Sequence, residues 1–158
     1  MSKLGNIKLL VLDVDGTMTD AGVYILEDGS QFKKFNARDG LGIQRAMKAG
    51  IEVGIISHSL VTAMVEARAN MLGMKYFYVG QESKTVVLEK WMKKLHLTND
   101  QIAYIGDDIN DLEIMQQVGT SACPADAVSS IAEIADIMLT QKGGDGCVRE
   151  FIEEYLLG

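Results

Sequence analysis

Apolar and polar residues follow two patterns that alternate along the chain. Short, continuous apolar runs predict buried strands at Ile7–Leu12, Ile51–Ser57, Tyr76–Val79, Ile102–Gly106 and Asp136–Leu139. Between them, apolar residues recur every three to four positions, which predicts helices near Gly42–Ala49, Leu60–Leu72, Lys84–Leu95, Asp111–Val118, Val128–Ala135 and Cys147–Leu157. Strands that alternate with amphipathic helices predict an α/β domain in which helices cover both faces of a parallel sheet.

The segment from Gly22 to Phe35 departs from this alternation. It carries Asp28-Gly29 between two β-prone runs, which is the pattern of a tight β-hairpin. Because an isolated hairpin is only marginally stable in water, we expect this one to pack against another surface. The sequence contains no repeat or linker, so residues 1–158 are predicted to form a single domain with the hairpin at about 22–35.

The composition narrows the classes of partner. A net charge of −7 argues against nucleic acid and anionic membranes as partners. No apolar run has the length of a membrane span and no signal-peptide pattern opens the chain, so the cytoplasm is the expected location. The two cysteines, Cys123 and Cys147, are too few for a disulfide framework. A small phosphorylated substrate stays compatible with the negative charge, because a bound divalent cation reverses the local field.

Acidic residues follow two of the predicted strands. Asp13 and Asp15 come directly after the first strand, and a second cluster follows the strand at Ile102–Gly106, consisting of Asp107, Asp108 and Asp111. An isolated pair of this kind is more often a strand end plus a turn. Two such clusters at the ends of parallel strands are expected to meet at one edge of the sheet. Their mutual repulsion is relieved when a cation lies between them, so the pattern predicts a metal site.

Four segments, in this order, resemble the motifs of the haloacid dehalogenase superfamily of phosphatases: Asp13-Val14-Asp15-Gly16-Thr17, Ser57, Lys84 and Gly106-Asp107-Asp108 with Asp111. The match covers nearly the whole chain. The short length and the segment after Asp15 resemble the small, capless branch that contains the 3-deoxy-D-manno-octulosonate (KDO) 8-phosphate and nonulosonate 9-phosphate phosphatases. This resemblance implies a Rossmann-like three-layer sandwich with a mostly parallel sheet, no cap domain and a β-hairpin flap after the first strand. It also implies a homotetramer assembled through the flap.

The same resemblance assigns roles to the acidic residues. Asp13 would attack phosphorus to form an aspartyl phosphate, and Asp15 would act as general acid and then general base. Asp13, Asp107 and the backbone carbonyl of Asp15 would hold Mg²⁺, which prefers oxygen ligands. The hydroxyl of Ser57 would face the phosphate, although a serine at a strand end is more often a helix cap. Lys84 would neutralise the charge of the phosphate and of the nucleophile, although most lysines are solvated. Two further acids, Asp108 and Asp111, would orient a water molecule and Lys84 without binding the metal themselves.

The resemblance also implies substrate-binding residues in three places. They lie in a loop similar to that of KDO 8-phosphate phosphatases (Asn36, Arg38, Asp39 and Gly40), on a helix (Arg68) and in the glycine-rich C-terminal segment (Arg149). Each has a simpler interpretation. The loop can be a polar turn in which Asp39 caps the next helix. Arg68 can lie on a solvated helix face, and the glycines before Arg149 can form an ordinary loop.

The chain departs from the family at the residues after Ser57. KDO 8-phosphate phosphatases usually carry Gly-Arg there, whereas this chain has His58-Ser59, so one of these two is expected to contact substrate. KDO 8-phosphate remains the first substrate expected, and a nonulosonate (KDN or sialic acid) 9-phosphate is the alternative. A non-catalytic oligomerisation module, related to the domain fused to cytidylyltransferases, is the alternative from another class.

Overall fold

The computed structural model describes residues 2–158, and this range contains eight strands. In chain order they are β1 (Leu9–Leu12), β2 (Tyr24–Ile25), β3 (Gln31–Phe32), β4 (Glu52–Ser57), β5 (Tyr76–Val79), β6 (Ile102–Ile105), β7 (Thr120–Cys123) and β8 (Ile137–Met138). Six of them form one sheet in the order β5-β4-β1-β6-β7-β8, in which every neighbouring pair is parallel. The other two, β2 and β3, form the antiparallel hairpin.

Helices connect the strands of the sheet. They are α1 (Ala37–Lys48), α2 (Thr62–Leu72), α3 (Lys84–Leu95), α4 (Leu112–Gln117), α5 (Ser129–Ala132) and α6 (Cys147–Phe151), and α6 continues as a π-helical turn over Ile152–Leu156. Short 3₁₀ turns precede β6 and α4, at Asn99–Gln101 and Ile109–Asp111. Within residues 2–158, no helix combines the length and the apolar character that crossing a membrane requires.

The core lies on both faces of the sheet. Successive residues of a strand point to opposite faces, so Leu10 and Leu12 pack with α1, α2 and α6, whereas Leu9 and Val11 pack with α3, α4 and α5. All four side chains are fully buried. The predicted α/β sandwich with a mostly parallel sheet is therefore confirmed. The insertion after β1 is the small hairpin, and no cap domain is added to this core by the described part of the chain.

The order of the strands creates a crevice at one edge of the sheet. The chain moves from β1 to β4 and β5 on one side, then returns to place β6 on the other side of β1. Ligands of such sheets bind beyond the carboxyl ends of the strands where the order reverses. Asp13 follows β1 directly, and Asp107 follows β6 after one glycine, so both lie at this point.

Two features of the fold differ from the sequence predictions. Helix α1 begins at Ala37, five residues before the predicted start, because the side chain of Asn36 caps it by accepting from the backbone N–H groups of Arg38 (2.8 Å) and Asp39 (3.3 Å). The alternative in which Asp39 is the cap is therefore wrong. Strand β7 was not predicted, because Thr120-Ser121-Ala122-Cys123 contains no large apolar residue. Its burial is supported by Asp136, whose carboxylate accepts from the Ser121 N–H at 2.8 Å.

Candidate active site

The carboxylates behind β1 and β6 converge, as the ends of adjacent parallel strands do. The Asp13 N–H donates to the Ile105 carbonyl at 3.0 Å, which extends the pairing of β1 with β6 by one residue. One carboxylate oxygen from each of Asp13, Asp107 and Asp111 lies within 4.8 Å of the others. Gly16 packs against this cluster with φ +88°, and a Cβ there would overlap Asp107 Oδ2. Glycine is therefore required for the backbone to turn this close to the acids.

Lys84, the first residue of α3, places its ammonium between Asp13 and Asp111. Its Nζ lies 2.9 Å from Asp13 Oδ1, 2.7 Å from Asp111 Oδ1 and 3.1 Å from the Tyr104 hydroxyl. Only 2% of the lysine side chain is exposed, which is rare for lysine and requires charged or polar partners such as these. Burial alone would lower the pKa of Lys84, but the Asp13 and Asp111 carboxylates together raise it above its ordinary value.

Asp111 has both of its carboxylate oxygens occupied. Oδ1 accepts from Lys84 and from the Tyr104 hydroxyl, and Oδ2 accepts from the backbone N–H groups of Asp107 (2.9 Å) and Asp108 (3.2 Å). The side chain is completely buried. Asp111 therefore fixes the lysine and the backbone of the acidic loop. The Asp108 carboxylate caps the following 3₁₀ turn through the Ile109 N–H at 2.7 Å.

The remaining acids carry unbalanced negative charge. Burial raises the pKa of Asp13 well above its usual value, and the neighbouring Asp111 adds to this although Lys84 opposes it. Burial likewise raises the pKa of Asp107 to about 6. Asp107 Oδ1 is buried and accepts no hydrogen bond within the described residues. An oxygen-preferring divalent cation between these two carboxylates would satisfy that oxygen and balance the charge, so the residues present fit Mg²⁺.

A cleft of about 170 Å³ opens in front of the acids and is lined by Asp13, Asp15, Ser57, His58, Ser59, Asp108 and Asn110. Ser57 ends β4 and is buried, and its Oγ accepts from the Ser59 N–H at 3.1 Å. The hydroxyl proton of Ser57 stays available for a ligand oxygen. The His58 ring lies at the cleft with Nε2 2.8 Å from the Glu82 carbonyl. Asn110 was not proposed from the sequence, because it resembled an ordinary residue of the acidic loop.

The hairpin contributes one residue to the site that sequence reasoning missed. Lys33 follows β3, and its Nζ lies 2.6 Å from Asp15 Oδ1. The lysine side chain is only 11% exposed, whereas that of Asp15 is 46% exposed. Nothing in the sequence separates Lys33 from its neighbour Lys34, because the contact depends on how the hairpin folds back over the loop after β1.

Six of the residues predicted to bind substrate lie outside the cleft in the structure. Asp39 is buried, and its Oδ1 accepts from the Arg149 N–H at 2.9 Å. The Arg149 guanidinium donates to the Arg38 carbonyl and that of Arg68 to the Asn36 carbonyl, each at 3.2 Å. None of the six, which include Gly40, is among the described residues that line the cleft. Burial raises the pKa of Asp39 to about 6.

This fold and this arrangement of acids and lysine define a haloacid dehalogenase-like hydrolase, and the model of that family matches residues 77–152. The KDO 8-phosphate phosphatase KdsC of Escherichia coli (strain B / BL21-DE3) is 40% identical over 157 residues, which are 99% of this chain and 83% of the relative. The chain therefore belongs to the haloacid dehalogenase-like hydrolases, in the branch that contains the KdsC phosphatases. The resemblance that its four motifs indicated is confirmed.

Solved structures show the same likeness. The KDO 8-phosphate phosphatase of Yersinia pestis has a TM-score of 0.94 at 40% identity, over 98% of this chain and 83% of that one. The enzyme of Moraxella catarrhalis, solved in complex with a magnesium ion, a phosphate ion and KDO, has a TM-score of 0.91 at 35% identity. The alignment with the Moraxella structure covers 96% of this chain and 86% of that one.

Proposed function

We propose that this protein is a Mg²⁺-dependent phosphatase of sugar-acid phosphates and that KDO 8-phosphate is its preferred substrate. The observation that carries the proposal is the buried contact of Lys84 with Asp13, directly beside the unsatisfied oxygen of Asp107. An acid held by a lysine at the mouth of a cleft can act as a nucleophile towards phosphorus. The relatives named for this activity share nearly the whole length of the chain.

The side chains suggest how the reaction proceeds. Lys84 holds Oδ1 of Asp13, which leaves Oδ2 to attack phosphorus and form an aspartyl phosphate as the bond to the leaving oxygen breaks. Asp15 donates a proton to that oxygen and afterwards removes one from the water that hydrolyses the intermediate. Ser57 Oγ donates to a phosphoryl oxygen, and the positive charge of Lys84, whose three donors contact Asp13, Asp111 and Tyr104, offsets the negative charge of the nucleophile and of the phosphate. Mg²⁺, held by Asp13, Asp107 and the carbonyl of Asp15, would neutralise charge on the phosphoryl group when bound.

The identity of the sugar acid depends on residues around the cleft. His58 and Ser59 occupy the position after Ser57 and line the cleft, so they are the candidate contacts for hydroxyl or carboxylate groups of the substrate. The Moraxella complex supports KDO 8-phosphate over a nonulosonate 9-phosphate, because that relative binds KDO together with phosphate and magnesium. A non-catalytic module is the weaker candidate, since such a module has no need of a buried lysine with two carboxylates.

We also propose that residues 1–158 form one domain and that copies assemble as a homotetramer through the hairpin. The hairpin exposes large apolar side chains, with Val23 70%, Ile25 64% and Phe32 47% exposed. Its strands have only two residues each, so packing against another chain would stabilise it. Arg38, Arg68 and Arg149 lie outside the cleft of their own chain, and assembly is the route by which a neighbour's arginine could reach it. Sedimentation as an active monomer would contradict this.

Phosphate release from a panel of sugar phosphates tests the proposed function. We expect the highest kcat/KM for KDO 8-phosphate, a smaller value for a nonulosonate 9-phosphate, and loss of both activities with chelator.

Asp13→Asn should abolish turnover without unfolding the protein, because it removes the nucleophile and keeps the shape of the side chain. Arg38→Ala should raise KM for the keto acid far more than for an aryl phosphate. A clear preference for hexose phosphates would contradict the assignment of substrate, and full activity of Asp13→Asn would contradict the assignment of the site.

A further inference from the structure

Lys33 is unusual among the lysines because it is nearly buried although it lies on the hairpin. Its side chain is 11% exposed, whereas that of the adjacent Lys34 is 63% exposed and its Nζ lies 3.8 Å from Asp20. Lysines are rarely buried unless their charge is paired. Lys33 has such a pair in Asp15, with Nζ 2.6 Å from Oδ1. Lys33 also lines a shallow depression together with Phe35 and Met64.

The position of Asp15 makes this ion pair important for the reaction. Asp15 lines the cleft beside Asp13 and has a half-exposed side chain, and the described residues provide it with no other side-chain hydrogen-bond donor. A carboxylate on a loop can rotate among several conformations unless a partner holds it. Proton transfer to a leaving oxygen requires the acid to be within hydrogen-bonding distance of that oxygen. A displacement of about 1 Å at such a group can reduce a rate by about a hundredfold.

We propose that Lys33 is a positioning residue that holds the Asp15 carboxylate in the orientation needed for proton transfer, so that the hairpin forms part of the catalytic unit. This inference rests on the proposed function, in which Asp15 exchanges a proton with the leaving group and with water. The lysine acts through Asp15 and makes no contact with the transferring phosphoryl group. A hairpin that moves away from the loop after β1 therefore removes the support of Asp15.

The test compares two phosphate esters whose leaving groups differ in their need for a proton. An alkyl sugar phosphate releases a basic alkoxide that must be protonated, whereas p-nitrophenyl phosphate releases a stable phenolate. Lys33→Met removes the ammonium and keeps the stem. We expect it to reduce kcat/KM for the sugar phosphate by about tenfold or more, and that for p-nitrophenyl phosphate by less than about threefold. Lys33→Arg should restore most of the loss, because its guanidinium can pair with the same carboxylate.

Lys34→Met is the matched control, since it removes the same charge from the next residue of the hairpin. It should leave both values within about twofold of the wild type, because an exposed ion pair contributes little. Equal losses on the two esters after Lys33→Met would overturn the proposal, since they indicate phosphate binding or general damage to the fold. Unchanged activity of Lys33→Met would overturn it as well. If the wild type hydrolyses neither ester, the proposed function itself fails, which is a different result.

Discussion

The ammonium of Lys84 lies 2.7 Å from Oδ1 of Asp111, and both side chains are almost completely buried. Breaking a buried pair is costly because the remaining charge has no water to solvate it. The pair also connects two elements of the active site, since Lys84 opens α3 and Asp111 holds the N–H groups of the acidic loop after β6. The same contact therefore stabilises the fold and fixes the position of Lys84 beside Asp13.

Asp111→Asn should be strongly destabilising. Asparagine would present its NH₂ group either to Lys84 or to the N–H groups of Asp107 and Asp108, so donors would face donors. We expect the free energy of unfolding to fall by about 3–5 kcal/mol. Tyr104→Phe removes only one hydroxyl from the same network, so we expect a loss of about 1 kcal/mol and nearly normal turnover. Urea unfolding measures the free energy of unfolding of both variants. Equal losses in the two would contradict the prediction that the Asp111 carboxylate contributes more to stability than the Tyr104 hydroxyl.

The metal site can be tested without measuring activity. We expect Mg²⁺ to bind the folded protein and not the unfolded chain, so at about a hundred times its Kd it should add about 2.7 kcal/mol to stability and raise the Tm. Asp107→Asn should remove most of this increase, because an amide lacks the negative charge of the carboxylate whose buried oxygen has no partner. Asp108→Asn is the control, since the Asp108 carboxylate caps a 3₁₀ turn and should not be needed for binding the metal. An equal increase in Tm for wild type and Asp107→Asn would rule out the proposed ligand.

The elements that determine the site were largely predictable. Asp13 and Asp107 follow continuous apolar runs, and the rule that parallel strands end at the same edge places them together. Lys84 was identifiable only through the order of the motifs, because a lysine at the start of a helix has no distinguishing local pattern. The family resemblance therefore added information for this residue that periodicity could not provide.

Other features depend on tertiary structure and could not be predicted locally. The residues of β7 are small and partly polar, and their strand forms because β6 and β8 pair with it on both sides. Lys33 contacts Asp15 only because the hairpin folds back onto the loop after β1. The start of α1 was misplaced since Asn36 supplies the cap, although Asp39 has a similar side chain and lies three residues later.

The ionisation of Asp39 should lower the free energy of unfolding as the pH rises, which is opposite to the usual effect of a carboxylate in a folded protein. Burial raises its pKa from 3.8 to about 6, so between these pH values the folded protein binds more protons at this group than the unfolded chain does. Its contribution to stability is therefore present at low pH and is lost as the pH rises through about 6. Asparagine can still accept from the Arg149 N–H and does not ionise.

We therefore expect Asp39→Asn to gain stability relative to the wild type as the pH rises from 4 to 7, by on the order of 2–3 kcal/mol. Urea unfolding of both proteins at several pH values measures this gain. The comparison cancels the other carboxylates, which are the same in both proteins. A constant difference across the range would show that Asp39 ionises normally in the folded state.

The glycine-rich loop before α6 packs directly against the loop after β1 that carries Asp15. The Gly144 N–H donates to the Thr17 carbonyl at 3.1 Å, and a Cβ at Gly143 would overlap the carbonyl oxygen of Gly16. Gly143→Ala must therefore displace one of the two loops. Because Gly16 directly follows Asp15, we expect kcat to fall by about a hundredfold as Asp15, the proposed general acid, moves. Overpacking of this kind should also reduce stability by about 1–3 kcal/mol.

Gly146→Ala separates this effect from a general disturbance of the loop. Gly146 has φ +107° and open space around it, so alanine there strains the backbone without touching Gly16. Both variants should lower the Tm, but only Gly143→Ala should greatly reduce kcat, because only its new methyl group presses on the loop that carries Asp15. Steady-state kinetics together with thermal unfolding distinguish the two. Normal kcat in Gly143→Ala would mean that the glycine-rich loop can withdraw without moving the loop that carries Asp15.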